Sequence, residues 1–417
     1  FLDSYVQNGA KEYIKETAFE NIFRFDFSSY FEGSLEDIFE NFEQNKFWEI
    51  KPNLSHEKFD EEKAKEYAKQ YYELLEDAVR IRLRADVKVG SALSGGLDSS
   101  SIVYLVNKLL KEQDKEELQE TFSSVYKSDG TQDCDESYFI DIMALKLGVH
   151  SNQIEPKEDE IPSQIEKMIW HLENPPDNSL MSSWHTFKLV ASTDVKVTLD
   201  GQGADEQLGG YLPYLLNYIS SLSIVDMFSQ AKKCLQIPNS SKYVFVGLCL
   251  GLYRVLFGKK FLKFTIKNIF KRDFETNLNK KLGIDTMGSL ITLIHYADHT
   301  SMAFSIESRM PFMDYRLVEF LASVPACYKM RDGWTKYLAR LAFDGKLPDE
   351  INWRKDKMGW PIPEKKWFYG NLNRWFIENI ESCKLSKKLS FKEKENKRFS
   401  NNIKRMNLSI WEKSFLN

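Results

Sequence analysis

Residues 94–100 read SGGLDSS and combine two adjacent glycines, three serine hydroxyls and one carboxylate. Adjacent glycines let a backbone turn sharply and approach an anion, and a helix that starts there adds unpaired N–H groups and the positive end of its dipole. The spacing therefore predicts a pyrophosphate site rather than a plain glycine turn. Asp98 would repel phosphate oxygens unless a cation lies between them, so we expect Mg²⁺ at this carboxylate. The sequence does not contain GxxxxGK[ST], so this is not a Walker A loop.

A second glycine-rich segment, residues 199–211, reads LDGQGADEQLGGY and places the carboxylates Asp205 and Glu206 among four glycines. It follows VKVTL, residues 195–199, which has the pattern of a buried strand. Open parallel sheets bind ligands at the carboxyl ends of their strands. Taken alone, the segment reads equally well as an acidic flexible loop. After a pyrophosphate loop, it is better interpreted as the second half of a Mg-ATP site.

Strand and helix patterns alternate through the first half of the chain. Amphipathic spacing predicts a long helix over 61–84, and residues 86–93, DVKVGSAL, predict a buried strand before the pyrophosphate loop. Further helices are predicted over 99–110, 136–147 and 161–172, and further strands over 121–126, 151–155 and 195–199. This order is typical of an α/β fold, with a parallel twisted sheet and helices on both faces. After Tyr211 the strand patterns fade, and a mainly helical C-terminal part is expected.

The composition limits the kind of protein and its partners. The 417 residues carry a net charge of −4, so no overall basic field favours nucleic acid as a partner. The five cysteines are scattered without CxxC spacing, which argues against a disulfide framework or a zinc site and favours a reducing cytoplasm. The first residues have no basic segment followed by an apolar run, so we expect no signal peptide. Monomer and homodimer both stay open.

The segment 243–272 is apolar and then basic. It begins YVFVGLCLGLYRVLF, residues 243–257, and continues GKKFLKFTIKNIFKR. Fifteen residues interrupted by Arg254 are too few to span a bilayer of ~30 Å. A buried helix is the favoured interpretation. The alternative is a basic amphipathic stretch over 243–272 that makes a peripheral contact with a membrane or a partner.

The two glycine-rich segments together resemble the synthetase domain of the asparagine synthetase family. Other strings agree with the family pattern: AVRIRLRADV at 78–87, DES at 135–137, SMA at 301–303, ESRMPFMD at 307–314, WTKYL at 334–338, LP at 347–348 and RKDKMGW at 354–360. The combination is specific and runs from about residue 48 to 365. The resemblance implies an adenine nucleotide alpha hydrolase-like fold of the ATP pyrophosphatase type, with ATP and Mg²⁺ as cofactors.

The same resemblance implies roles for individual residues. The expected contacts of ATP are Leu93, Ser94, Gly95, Gly96, Asp98, Ser99, Ser100, Ser123, Gly201 and Lys336. The expected Mg²⁺ ligands are Asp98 and Asp205, and the catalytic candidates are Asp98, Glu206, Lys336 and Lys357. Lys336 would lie near the phosphates and Lys357 would stabilise the charge that develops during amidation, with Lys355 as the open alternative to Lys357. Glu307, Arg309 and Asp314 are expected to form a structural ion network instead.

The substrate side departs from the family pattern at one position. Gln202, Gly203 and Asp205 are the expected substrate contacts, and the family form GEGxDE has a glutamate where Gln202 stands. That glutamate receives the α-ammonium of aspartate, and a neutral amide cannot balance this charge. A different carboxylate substrate is therefore favoured, either a small molecule or a glycan or peptide. Surface-polysaccharide amidotransferases resemble the GQGADE form, and β-lactam synthetases and lasso-peptide cyclases also differ here.

The resemblance also divides the chain. Residues 1–48 resemble the end of a glutaminase-type domain, through TAFENIFRFDFSSYF at 17–31, and residues 49–417 resemble the synthetase domain. No cysteine precedes Cys134, so the sequence as given does not contain a glutaminase nucleophile. Glutamine would then serve as nitrogen source through a preceding segment or a partner chain, and ammonia is the alternative.

The sequence thus predicts an enzyme, a C–N ligase that adenylates a substrate carboxylate, releases pyrophosphate and transfers ammonia or an amine to the acyl group. A true asparagine synthetase, with a tolerated change at Gln202, is the alternative within this class. A non-catalytic scaffold or membrane-surface homologue is the alternative from another class. Intact acidic and basic residues in both loops disfavour it.

Overall fold

The protein folds around a five-stranded parallel sheet. The computed structural model describes residues 1–2, 4–5, 9–40, 42–115, 119–270, 274–356, 361–388 and 398–416. In chain order the strands are β1 (Ser29–Tyr30), β2 (Asn45–Lys46), β3 (Val89–Ala92), β4 (Glu120–Ser124), β5 (His150–Ile154), β6 (Val197–Leu199) and β7 (Glu307–Arg309). The last five form the sheet in the spatial order β5-β4-β3-β6-β7, and each neighbouring pair is parallel.

Helices surround the sheet and make up most of the chain after it. In chain order they are α1 (Leu35–Glu40), α2 (Glu61–Arg82), α3 (Leu97–Lys111), α4 (Ser137–Leu147), α5 (Ile161–Leu172), α6 (Met181–Ala191), α7 (Ala204–Leu208), α8 (Tyr214–Ser221), α9 (Ile224–Cys234), α10 (Ser241–Phe257), α11 (Lys259–Phe270), α12 (Leu278–Thr286), α13 (Ser289–Met302), α14 (Tyr315–Ser323), α15 (Ala326–Lys329), α16 (Tyr337–Phe343), α17 (Asp349–Asn352), α18 (Glu364–Tyr369), α19 (Asn373–Ser382), α20 (Lys384–Lys388) and α21 (Arg398–Phe415). The predicted α/β fold with a mainly helical C-terminal part is confirmed.

Both faces of the central strand β3 are covered, so its four residues are all buried. On one face, Phe122 of β4 packs with Phe187 and Val190 of α6. On the other, Val89 and Val197 belong to the large core around α2 and α3. Successive strand residues point to opposite faces, and this alternation lets three- to five-residue strands serve both cores.

Helix α2 shows how the sequence specifies one of these elements. Asp60 caps its first turn by accepting a hydrogen bond from the Lys63 N–H at 2.9 Å. Its buried residues Ala64, Ala68, Tyr71, Leu75 and Ala78 recur every three or four positions, and Val79 is buried next to the last of them. This stripe packs into the core, so the amphipathic helix predicted over 61–84 is confirmed, with its end at Arg82.

The N-terminal residues pack against the C-terminal helices. Tyr5 is buried, and its hydroxyl donates to the Pro176 carbonyl oxygen at 2.9 Å and to the Lys404 carbonyl oxygen at 3.2 Å. Strands β1 and β2 pair antiparallel beside α1. The assignment of residues 1–48 to the end of a glutaminase-type domain stays a prediction.

The interpretation of residues 243–257 as a buried helix is wrong in its burial, although the segment is helical. Within α10 only Val244, Gly247 and Gly251 are buried, whereas Phe245 is 68% and Leu256 is 73% exposed. One face is buried because the two glycines bring α10 close to α8: a β-carbon on Gly247 would lie 3.1 Å from the Ile219 β-carbon. Among the described residues, no helix is both long and apolar enough to cross a membrane.

Candidate active site

The two glycine-rich segments meet in a cleft at the carboxyl ends of β3 and β6. Since these strands are adjacent and parallel, the segments that follow them lie side by side. The cleft is lined by Ala92, Ser94, Gly96, Leu97, Asp98, Ser99, Asp200, Gly201, Gln202, Asp205, Thr335, Lys336, Arg340, Ile351 and Arg354. Most residues predicted for the ATP, metal and substrate sites are therefore in one place.

The first loop turns at Gly95, whose φ of +72° is left-handed. A β-carbon there would lie 2.7 Å from the Phe139 β-carbon, so this position needs glycine. Gly96 then caps α3 without a side-chain hydrogen bond to the helix N–H groups, which leaves that end suited to an anion. The Ser94 N–H donates to Ser99 Oγ at 3.1 Å. Ser100 Oγ is buried and has no hydrogen-bond partner among the described residues.

Leu93 and Ser123 form part of the sheet behind the cleft. The Ser123 hydroxyl donates to the Leu93 carbonyl oxygen at 2.6 Å, and both residues are buried. Neither belongs to the residues that line the cleft. Their expected contact with the nucleotide stays a prediction, and their observed contact joins β4 to the end of β3.

The second loop packs directly on the first. A β-carbon on Gly201 would lie 3.1 Å from the Ser99 backbone nitrogen, so the two loops touch at the start of α3. Gly203, with φ of +99°, caps α7, which carries Asp205 and Glu206. Asp205 lines the cleft, whereas Glu206 is buried and accepts a hydrogen bond from the Tyr211 hydroxyl at 2.7 Å. Within α7, Glu206 therefore makes a buried structural contact, and its catalytic role stays a prediction.

Lys336 joins the two loops. Its side chain is 3% exposed, and Nζ contacts Asp98 and lies 2.6 Å from Asp205 Oδ1. Burial works to lower the pKa of this ammonium, but attraction to Asp205 and Asp98 outweighs burial and raises the pKa to about 12. Lys336 also has a left-handed φ of +53°, a strained backbone of the kind found at functional sites.

Gly210 explains the glycine pair that ends the second loop. A β-carbon at this position would overlap both the Asp205 carboxylate and the Lys336 side chain. The Gly210 N–H donates to the Asp205 carbonyl oxygen at 2.9 Å. The segment GGY therefore leaves room for the ion pair between Asp205 and Lys336.

Arg354, which lines the cleft, contacts Glu136 of the distant segment DES. Its guanidinium donates to both Glu136 oxygens, at 2.6 and 2.8 Å, and lies 3.7 Å from the Phe139 ring centroid. Burial works to lower the Arg354 pKa, and the bonds to Glu136 and Asp356 outweigh it and raise the pKa. This bidentate pair holds residues 354–356 against the start of α4.

The predicted amidation lysine, Lys357, lies outside the described residues, as do 358–360. The alternative, Lys355, is described: Nζ donates to Gln236 Oε1 at 2.8 Å and lies 4.6 Å from the Trp334 ring centroid. Lys355 does not belong to the cleft lining. The choice of Lys357 over Lys355 for the amidation step stays a prediction.

Arg340 and Asp200 line the cleft, and neither has a role predicted from the sequence. Arg340 lies on α16, whereas Lys336 precedes this helix with a left-handed φ, so helical spacing from Lys336 does not identify Arg340 in the sequence. Burial lowers its pKa to about 10, although Asp98 works to raise it. Asp200 is buried, and its carboxylate accepts hydrogen bonds from the Ala92 N–H, the Thr198 hydroxyl and the Ser308 hydroxyl. Asp200 therefore ties together the ends of β3, β6 and β7.

Glu307, Arg309 and Asp314 form ion pairs outside the cleft lining. Arg309 Nε donates to Glu307 at 2.8 Å. Asp314 pairs separately, with Arg82 at 3.0 Å and with Arg316 at 2.9 Å. The Arg309 guanidinium also donates to the Arg82 carbonyl oxygen at 2.7 Å, which links the two groups. These contacts fit the predicted structural role. Because burial of Asp314 is outweighed by its bonds to Arg316 and Arg82, its pKa falls to about 2.

The donor groups fit ATP with a magnesium ion. Asp98 and Asp205 converge on one point, and an uncapped helix end and the buried Ser100 hydroxyl lie beside them. Among the described residues, no group of three or more His, Cys, Asp or Glu side chains could hold a metal ion. Magnesium often takes only one or two protein carboxylates and completes its shell with phosphate oxygens and water, so the two carboxylates suffice.

Comparison with known proteins finds one family model and several curated relatives that match this chain. The family model described as "Asparagine synthase" matches residues 70–405. The chain is 26% identical over 344 residues to "Asparagine synthetase [glutamine-hydrolyzing] 1" of Bacillus subtilis, covering 75% of this chain and 52% of that protein. It is 27% identical over 363 residues to "Amidase chry2" of Gibberella zeae, covering 74% and 54%. The chain thus spans about half the length of these curated relatives.

Proposed function

Because this chain belongs to the asparagine synthase family, we propose that it is an ATP-dependent ligase that converts a substrate carboxylate into an amide. A carboxylate oxygen attacks the α-phosphorus of ATP, and the bond to the bridging oxygen breaks as pyrophosphate leaves. Ammonia or an amine then attacks the acyl carbon, gives up a proton and displaces AMP. Family membership supports this class of reaction, and the choice of substrate and nitrogen source is part of the proposal.

The observation that carries the proposal is the convergence of Asp98, Asp205 and Lys336 at the N-terminus of α3. The Lys336 ammonium holds two carboxylates together in a cleft that also presents uncapped helix N–H groups. A site for the pyrophosphate half of ATP needs such donors, since negative charge grows on the leaving group. A scaffold protein has no need to hold a buried ammonium against two partly exposed carboxylates.

We assign the nucleotide contacts to the first loop and its neighbours. Ser94, Ser99 and the α3 N–H groups would bind the pyrophosphate part, with Lys336 and Arg340 adding positive charge as it leaves. Asp98 and Asp205 are the residues that would hold Mg²⁺, which supplies further charge to offset the phosphate oxygens. Lys357 is the proposed stabiliser of the tetrahedral intermediate in the amidation step.

Gln202 supports a substrate other than aspartate. Its neutral side chain lines the cleft beside Asp205. A buried contact to a charged group contributes about 1.5–3 kcal/mol, which an amide facing an ammonium would largely lose. A small molecule, a glycan or a peptide that presents a carboxylate without an α-ammonium fits better. Asparagine synthesis from aspartate remains the second candidate, because relatives with that name match this chain.

The nitrogen source and the cellular compartment are also parts of the proposal. Glutamine would serve if residues 1–48 close a glutaminase-type domain, and free ammonia would serve without one. The cytoplasm is the proposed compartment, since free thiols such as those of Cys134 and Cys249 persist there.

The test is pyrophosphate release from ATP, measured with ammonia across aspartate, glutamate, uronic acids and short peptides. We expect release that depends on one class of acid, with AMP formed in equal amount, and its loss in Asp98→Ala. Asp194→Ala, which removes an 84% exposed carboxylate, is the matched control and should retain activity. Release that needs no acid, or Asp98→Ala as active as the control, would overturn the proposal.

A further inference from the structure

Helices α10 and α11 form a hairpin whose outer face is apolar. They join at Gly258, which has a left-handed φ of +86°. Phe245, Cys249, Leu252 and Leu256 follow one another at spacings of four, three and four, so they form one line along α10, which we call the apolar stripe. All four are exposed, and they lie opposite the face that packs on α8.

The apolar surface continues across the turn onto α11. The rings of Tyr253 and Phe261 stack at 6.0 Å, and those of Phe261 and Phe264 stack at 6.3 Å. Phe261 and Phe264 are exposed. An unbroken row of aromatic rings therefore extends the stripe over both helices, which is unusual for a surface that faces only water.

The charge of the hairpin differs in sign from that of the whole chain. Residues 241–270 contain six lysines and arginines and no aspartate or glutamate, whereas the chain has a net charge of −4. Lys263 and Lys259 pair with Glu275 at 2.9 and 3.9 Å. Lys242, Lys260 and Lys267 are exposed, so the apolar surface carries a basic border.

We propose that this hairpin docks on the surface of a bilayer that contains anionic lipids. The apolar stripe and the aromatic row would lie at the boundary between headgroups and acyl chains, and the lysines would contact lipid phosphates. A second copy of the same surface would set like charges against one another, so self-association is disfavoured. The inference concerns where the protein binds and is independent of the ligase reaction.

Flotation of the full chain with lipid vesicles tests the proposal. We expect binding to vesicles of phosphatidylcholine mixed with phosphatidylglycerol and little binding to phosphatidylcholine alone. Lys260→Gln/Lys267→Gln should weaken binding on the order of tenfold, because each surface lysine contributes separately. Phe245→Ser/Leu256→Ser should weaken it as well. Leu145→Ser/Lys146→Gln makes the same kinds of change on α4, where Leu145 is 86% exposed, and should bind as the parent does.

A dye on Cys249 can report contact with the membrane directly, without a variant that weakens binding. Cys249 is the exposed cysteine within the stripe. An environment-sensitive dye on Cys249 should shift to the blue on anionic vesicles, whereas the same dye on Leu145→Cys in a Cys249→Ser background should not. The proposal would be overturned if the parent protein floated with neither kind of vesicle. It would also be overturned if Lys260→Gln/Lys267→Gln bound anionic vesicles as well as Leu145→Ser/Lys146→Gln does. A concentration-dependent dimer that Phe245→Ser/Leu256→Ser dissociates while no vesicle binding is seen would overturn it as well.

Discussion

Lys336 Nζ lies 2.6 Å from Asp205 Oδ1, and the same ammonium contacts Asp98, so one buried cation joins the loops that follow β3 and β6. Two carboxylates this close would repel each other without it. The raised pKa of Lys336, about 12, keeps the cation charged throughout the neutral range. This pairing is the centre of the proposed ATP site.

Lys336→Met should therefore lower pyrophosphate release by about 100-fold or more, since a charge that stabilises the leaving group is lost. Steady-state release at saturating acid measures the effect. Lys167→Met, at an exposed position on α5, is the control for a generic lysine change and should retain activity. If Lys336→Met stays within a fewfold of the control, Lys336 acts only in structure.

Gln202→Glu should shift substrate preference towards aspartate. A carboxylate at this position would face the α-ammonium, and the gain in kcat/KM for aspartate should be about tenfold or more. Release with the acid that the parent prefers should fall at the same time. Gln113→Glu, on the exposed end of the segment after α3, controls for added charge. If the ratio of kcat/KM for aspartate to kcat/KM for the other acids is unchanged, Gln202 does not determine substrate specificity.

The effects of changing Arg354 and Glu136 on the free energy of unfolding should depend strongly on each other. Both side chains are under a tenth exposed. Removing Arg354 leaves the buried Glu136 carboxylate unpaired, at a cost of about 3–5 kcal/mol. Removing the Glu136 charge costs less, because the guanidinium keeps Asp356 at 3.0 Å. We expect Arg354→Met and Glu136→Gln each to lower the unfolding free energy. The double variant should lose much less than the sum of the two, as measured in urea. Additive losses would show that the bidentate pair does not stabilise the fold.

The sequence predicts the loops better than it predicts burial. Buried strands before SGGLDSS and GQGADE place both loops at one sheet edge, and the structure agrees. Strand β7 is not predictable from its own residues, because Glu307–Arg309 is short and polar and pairs with Val197–Leu199 across a long chain separation. The apolar run 243–257 predicts an interior helix. Only its contact with α8, set by tertiary packing, decides that the stripe of Phe245 and Leu256 faces outward.

Buried Lys329 should make stability rise with pH. This residue of α15 lies with Gln207 and Asn279 at a cavity of about 10 Å³, room for one water. No carboxylate among the described residues forms an ion pair with it, and burial lowers its pKa from 10.5 to about 7. The unfolded chain therefore binds more protons than the folded one between these two values, so the unfolding free energy increases with pH there. Below about 7 both states are protonated and the full cost of burying the charge remains.

Lys329→Met removes this linked proton and keeps the side chain's length and apolar stem. We expect the variant to be more stable than the parent by on the order of a few kcal/mol near neutral pH, with the difference shrinking as the pH rises towards 10. Urea unfolding of both proteins over this range measures the difference directly. For Lys167→Met, the unfolding free energy should change with pH in parallel with that of the parent, since Lys167 is exposed. A Lys329→Met curve that is also parallel would mean that the Lys329 pKa is the same in the folded and unfolded chains.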